Sequence, residues 1–506
     1  MPDIVARLLA PLRRFGGPHP VRPIAAFALA LLWFVGGTVR AVTTVGKIAI
    51  SDAFYLPALY RDLFVAKVPT SHWSLQPAPS LLPDGVVIAG VRAVGGGATV
   101  ALQVFATLAL LNLLAATTAL ARFATGAPLR HVFPRAAFGV GAAAFWIGTS
   151  TPAATVLFSG FHGAAFGVGL WVYLWALTLA APRVPLPGAA FGFWCRLAGI
   201  TVATALTGAS DGIYDCWVTL PLGLLLLVGP FVLRVPLGRA YSVVVALAVG
   251  AVAERGLAKV PAALGWDTPK AYAGVEFSWG RVVDFLGQFP SPLLSDAHRT
   301  VFLAVAAAAF VGLVLAALRP ASGSLRARER VMASAGLLMV AACLAGAIAT
   351  NIYRDLWGVR YLQPALFLPF LAVPFLRARP LAIGAVFAFA LPVDPTISGT
   401  LEIRPKITGC VVGIAQREEI SYGFATYWVA HRVTETAPRP LRVLAVEGNG
   451  APRIWLNNPY WYPIAEAAPR FLVVLRDLNS AEIRARFGEP NAVVRCGEDD
   501  VWIFRR

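Results

Sequence analysis

The chain has 506 residues, 58% of them hydrophobic and only 14% charged, with a mean hydropathy of +0.69. Soluble domains carry about 25% charged residues, so the composition excludes an ordinary soluble enzyme. The net charge of +17 does not point to nucleic acid either: most basic residues are Arg scattered between apolar runs, with no Lys/Arg block interleaved with aromatics.

A bilayer core of about 30 Å needs about 20 apolar residues per helical span. On that measure the sequence predicts about eleven spans, near 24–42, 98–120, 136–157, 162–181, 193–209, 215–233, 240–257, 300–318, 331–350, 361–376 and 380–394. The first is followed by a charged loop without a convincing cleavage site and reads as an uncleaved anchor. Residues 85–97 read as a separate short helix stopped at Gly95, Gly96 and Gly97, because 85–120 is too long for one crossing.

Counting alternately from a cytoplasmic N-terminus, the inner connections collect Arg7, Arg13, Arg14, Arg22, Arg122, Arg130, Arg135, Arg183, Arg196, Arg234, Arg239, Arg319, Arg326, Arg328, Arg330, Arg377 and Arg379. Only Asp3 and Glu329 oppose them there, as the positive-inside rule requires. The opposite face then receives the loops 43–97 and 258–299, the short turns "SGFHG" (159–163) and "ASDGIYD" (209–215), "NIYRDLWGVRY" (351–361), and the tail from about 395.

In that tail the apolar runs shorten to strand length. "RVLAVEG" (442–448), "FLVVLRD" (471–477), "AVVRC" (492–496) and "VWIF" (501–504) predict strands, and "NSAEIRARFG" (479–488) predicts a helix capped by Asn479 or Ser480 and stopped by Gly488. The expected fold class is therefore mainly α. A polytopic transmembrane helix bundle occupies 1–394, and a small extracytoplasmic α/β domain occupies 395–506. Cys410 and Cys496 both fall in that domain, where oxidising conditions permit a disulfide, though chance placement serves as well.

The outward face carries the candidate chemistry. In "ISDAFYLPALYRDLF" (50–64), Pro57 suits the first turn of a helix over about 57–66, with Leu59, Tyr60, Leu63 and Phe64 as its apolar stripe and Arg61 and Asp62 turned away. Asp52 lies five residues before Pro57, too early to cap that helix, which leaves it available as a general base or as a solvated residue. Asp84, His162 and Asp211 stand at outward span ends. Each has a structural alternative, since Asp caps helices and His tolerates interfaces. Together with Asp215 they bring carboxylates and an imidazole to one face, a set suited to base catalysis, substrate binding or a hard divalent cation. Their spacing matches no compact metal motif. Arg354 and Arg360 offer guanidinium forks for phosphate oxygens, with headgroup contact as the alternative. The aromatics of "WLNNPYWYP" (455–463) serve either as a sugar-stacking surface or as core.

An Asp soon after the first span, "FHG" at 161–163, "SDGIY" at 210–214 followed by Pro221, "RYLQP" at 360–364 and "YWVAHR" at 427–432 resemble the GT-C superfamily of polytopic membrane glycosyltransferases. The resemblance covers most of the chain as an architecture. It implies sugar transfer from a polyprenyl-phosphate-linked sugar on the extracytoplasmic side of the plasma membrane, with Asp52 in the place of the first-loop catalytic carboxylate. Membrane lipids are the expected partners and nucleic acid is not, and Mg²⁺ or Mn²⁺ is an optional cofactor of the outward carboxylates. A transporter or lipid flippase, and an inactive protein of the same architecture, are the competing expectations.

Overall fold

The computed structural model describes residues 21–148, 151–180, 189–232, 235–269, 276–288, 324–350, 356–375, 380–389, 405–437 and 440–506, with scattered residues between 307 and 318. Four of its helices are long and apolar enough to cross a membrane: Pro23–Ile48, Ala98–Thr125, Gly163–Ala180 and Leu325–Thr350. With a shorter apolar helix over Asp215–Phe231, they make the chain an integral membrane protein. Helices also cover Leu129–Ile147, Ala189–Ser210, Leu237–Leu257, Gln363–Leu371 and Pro380–Phe389, where spans are expected. Most of the expected span 300–318 lies outside the described residues, and the count of about eleven is not reached among those described.

Close packing of these helices rests on small residues. In the pair Val21–Ile48 and Leu129–Ile147, a Cβ on Gly37 would stand 2.5 Å from the Gly141 carbonyl, and one on Gly141 2.5 Å from the Trp33 ring. Without a hydrophobic drive between helices in lipid, such backbone approach is what association depends on. The short helix before the second long span is present as Val86–Ala93, and Gly95, at φ +87°, ends it in a conformation that glycine adopts freely.

The C-terminal part carries a five-stranded sheet: β1 (Tyr422–Thr426), β2 (Arg442–Val446), β3 (Arg470–Val474), β4 (Ala492–Cys496) and β5 (Asp499–Arg505), in the order β2-β1-β3-β5-β4. β1 pairs in parallel with β2 and β3, while β5 runs antiparallel to β3 and β4. The helix Ser480–Phe487 starts as expected, with the Asn479 side chain accepting from the amides of Ala481 (3.0 Å) and Glu482 (3.4 Å). A disulfide joins Cys410 to Cys496, with Cα atoms 5.8 Å apart, and so fastens the helix Pro405–Arg417 to β4.

Two readings of the sequence change. The helix expected from Pro57 begins earlier: a 3₁₀ turn over Ser51–Phe54 runs into helix Tyr55–Tyr60 and a wider turn over Arg61–Val65. Asp52 therefore lies in the first turn, yet its side chain makes no capping bond. The expected face is also wrong at Asp62, which is 1% exposed, while Phe64 on the apolar stripe is 60% exposed. The wide turn rotates these residues about the axis, and the partners waiting for Asp62 come from a domain that local periodicity does not reveal.

Candidate active site

The turn around "SGFHG" is where the distant segments meet. Ser159 Oγ donates to the Ala53 carbonyl (3.3 Å), and Gln76 Nε2 donates to the Gly160 carbonyl (3.0 Å). The Gly160 amide donates to Asp84 Oδ2 (2.7 Å), and Gln363 Nε2 donates to the Phe161 carbonyl (2.6 Å). A side chain at Gly160, which has φ +82°, would also meet Gln76 and the Tyr55 ring 2.9 Å away. Asp84 is thus a tie between loops and not the cap of the helix after it. Burial pushes its carboxyl up to about 8, opposed by the Gly160 amide and reinforced by nearby Asp211.

His162 and Asp211 come together from sequence positions 49 apart. His162 Nδ1 lies 2.8 Å from Asp211 Oδ1 and 2.7 Å from Oδ2, with both residues buried. A carboxylate on Nδ1 fixes the imidazole's orientation and places the proton-accepting position at Nε2. The ring rests against Tyr361 at 5.2 Å between centroids and edge-on to Trp217 at 6.0 Å.

Asp52 stands on the other side of Arg360. The Tyr427 hydroxyl donates to Asp52 Oδ1, and an Arg360 guanidinium nitrogen lies 3.9 Å from Oδ2. Arg360 itself sits over the rings of Phe161 and Tyr361, 4.9 Å from each centroid, so stacking holds it between Asp52 and the His162 ring system. Arg453 reaches the same place from the C-terminal domain, 5.3 Å over the Tyr427 ring. Burial pushes the Asp52 carboxyl above its ordinary range, while Arg360, the Tyr427 hydroxyl and Arg453 pull it back. The phenol of Tyr427 is raised by burial and by Asp52.

The structure therefore brings Asp52, Asp84, His162, Asp211 and Arg360 around one turn, whereas Arg354 lies outside the described residues. Sequence reading missed Tyr427 and Arg453. Tyr427 stands in the quoted "YWVAHR", where an aromatic at a helix start reads as core; Arg453 carries no signal in its neighbourhood. Among the described residues no group of three or more His, Cys, Asp and Glu is placed to hold a metal ion.

A second cluster fastens the C-terminal domain to the first loop. Asp62 Oδ2 accepts from the indole N–H groups of Trp73 (3.1 Å) and Trp461 (3.2 Å) and from Asn458 Nδ2 (3.2 Å). Its Oδ1 pairs with Arg442 at 2.9 Å, and that guanidinium lies 3.5 Å over the Trp461 ring. Beside it, Arg61 pairs with Glu435 at 2.9 Å. Arg432 donates to the Lys47 carbonyl (2.8 Å) in the last turn of the first long helix and to the Ala49 carbonyl (3.4 Å) just past its end. Trp461 and Tyr462 are committed to these contacts; the Tyr462 hydroxyl donates to the Ala445 carbonyl at 2.6 Å. They are struts and not an open sugar platform. Arg432 and Glu435 lie on the helix Tyr427–Thr436, so the clamp also sets the position of Tyr427, the Asp52 partner.

No family model matches the sequence, and no curated protein matches it. Among solved structures, the chain is similar to ArnT from Cupriavidus metallidurans in the apo state, with 14% identity over 95% of this chain and 98% of that one and a TM-score of 0.47. It is likewise similar to ArnT from the same organism bound to undecaprenyl phosphate, with 14% identity over 93% and 97% and a TM-score of 0.46. Likeness of this degree does not carry function from one chain to the other.

Proposed function

We propose that this chain is a membrane glycosyltransferase of GT-C type, moving a sugar from a polyprenyl-phosphate donor to an acceptor hydroxyl on the extracytoplasmic face. The observation that carries the reading is the buried Asp52 carboxyl, held by the Tyr427 hydroxyl and faced by the guanidiniums of Arg360 and Arg453. A carboxylate lifted out of its ordinary range is a stronger base, and the two guanidiniums are matched to a phosphate leaving group. Asp52 takes the acceptor's proton as its oxygen forms a bond to the anomeric carbon. The bond from that carbon to the phosphate oxygen breaks, and the electron pair leaves with the polyprenyl phosphate, whose charge Arg360 and Arg453 stabilise. No nucleotide is needed on this face, because the donor arrives already activated as a lipid phosphate.

The His162–Asp211 pair and Asp84 would line the substrate side of the same turn. The Arg-rich connections support a cytoplasmic N-terminus, and the Cys410–Cys496 bridge suits an oxidising compartment for the C-terminal domain. A reporter fused after Arg506 that is active only in the cytoplasm should therefore stay silent, and strong signal would overturn this orientation. For the chemistry, purified protein is given a labelled polyprenyl-phosphate sugar and a mixture of lipid and glycan acceptors. Asp52→Asn keeps the shape and removes the base, so transfer should fall by about 10²–10⁴-fold. Wild-type turnover in that variant would remove Asp52 from the reaction. If the unaltered protein transfers nothing and instead moves the lipid between leaflets, the transporter reading replaces this one.

A further inference from the structure

At the opposite end of the bundle from Asp52 there is a second site that the proposed reaction does not use. The helix Ala98–Thr125 begins beside the first loop, where Arg92 lies 3.9 Å from Glu435 of the C-terminal domain. Arg122 is 24 residues further on, about 36 Å along the helix. Between this far half and the start of the helix Leu129–Ile147 runs an open groove of about 750 Å³. Leu111, Leu114 and Phe133 line it, and Arg122 closes its end. Leu111 to Arg122 spans about 16 Å of helix, the depth of one leaflet of a hydrocarbon core about 30 Å thick.

The polar end of the groove is cationic and incompletely satisfied. The Thr118 hydroxyl inside it is spent on the Leu114 carbonyl at 2.7 Å, so the walls present no other free donor at that level. Arg122 is exposed, and its guanidinium makes no hydrogen bond or ion pair among the described residues. Arg328 comes in from the helix Ser324–Thr350, with its guanidinium carbon 5.5 Å from the centroid of Phe123, and its buried Nε has no hydrogen-bond partner among those residues. One guanidinium at the mouth of a groove one leaflet deep, with a second against the groove-lining Phe123 ring, fits a negatively charged headgroup with its chain laid between the helices.

We propose that this groove holds one anionic phospholipid of the leaflet remote from Asp52, its phosphate on Arg122 and an acyl chain along Leu111, Leu114 and Phe133.

The test uses the full chain in detergent, loaded from vesicles of dioleoyl phosphatidylglycerol or of dioleoyl phosphatidylcholine and read by native mass spectrometry. One phosphatidylglycerol per chain should be retained in preference to phosphatidylcholine. Arg122→Ala should lower its retention about fivefold, the scale of one arginine near an anionic surface. Arg239→Ala, another exposed arginine expected on the same face, should leave it unchanged. Ala115→Phe fills the groove from an exposed position with Arg122 intact, and should displace the lipid as well. Equal retention of the two lipids, or unaltered retention in both groove variants, would overturn the proposal. Preferential retention of added polyprenyl phosphate would assign the groove to that lipid instead, and would also overturn it.

Discussion

Replacing Asp62 by Ala gives the sharpest test of how the two parts of this molecule are joined. The carboxylate is 1% exposed and receives three N–H donors and one guanidinium, from Trp73, Asn458, Trp461 and Arg442. Alanine would leave Arg442 facing Arg61 without its counter-charge, in a place where burial already lowers its guanidinium to about 10. Breaking a buried ion pair by removing one partner costs about 3–5 kcal/mol, because the charge left behind has lost its water as well. The two orphaned indole donors add to that, with Trp73 fully buried, while Asn458 Nδ2 keeps its bond to the Pro69 carbonyl. Against a folding free energy of about 5–15 kcal/mol the loss is large. At about 1 °C per kcal/mol for a cooperative unit of this size, detergent-solubilised Asp62→Ala should melt at least about 3 °C below wild type. Limited proteolysis should release the 405–506 region sooner, since the same variant unfastens it from the loop. A melting temperature within about 1 °C of wild type would refute the reasoning and make the cluster a solvated contact. The double variant Asp62→Ala/Arg442→Met should recover part of the loss, since it removes the stranded charge.

Tyr427→Phe removes the hydroxyl on Asp52 and keeps the ring under Arg453; sugar transfer should shift its pH optimum upward, and an unmoved profile would detach Tyr427 from the base. Asp84 holds its proton in the folded state up to about pH 8 but loses it near 4 in the unfolded chain, so stability should fall as pH rises through that window, by up to about 1.4 kcal/mol per unit. Melting curves of Asp84→Asn between pH 6.5 and 8 should lack that part of the slope, and curves parallel to wild type would contradict it. His431 has the opposite sign: burial lowers its imidazole to about 4, so its contribution is present above pH 6.5 and lost as the pH falls toward 4, which His431→Gln should abolish. Cys410→Ser/Cys496→Ser opens a loop of 86 residues, and the entropy freed in the unfolded chain should cost about 4–5 kcal/mol, read as a lower melting temperature that reducing agent does not lower further.

The sequence by itself determined that apolar helices cross the membrane, though not their number, because a helix in lipid must satisfy its own backbone and show about twenty apolar residues in a row. It also determined β2 to β5 and the Asn479-capped helix, whose strand-length runs and cap chemistry are local. β1 escaped it: "YGFAT" is short, holds a glycine and becomes a strand through pairing on both sides with β2 and β3. Asp52, Asp84, His162, Asp211 and Arg360 were legible as polar residues at span ends, where charge is expensive and therefore conspicuous. Their grouping was not, since it depends on the "SGFHG" turn drawing together residues up to 202 positions apart. Only the tertiary structure decided that Asp62 points inward. Local periodicity assigns a helix face by polarity, but a buried carboxylate is made tolerable by partners 380 to 399 residues away in sequence. The same reason hid Tyr427 and Arg453: their chemistry lies in what they touch across the domain contact, and one strand of sequence does not carry that.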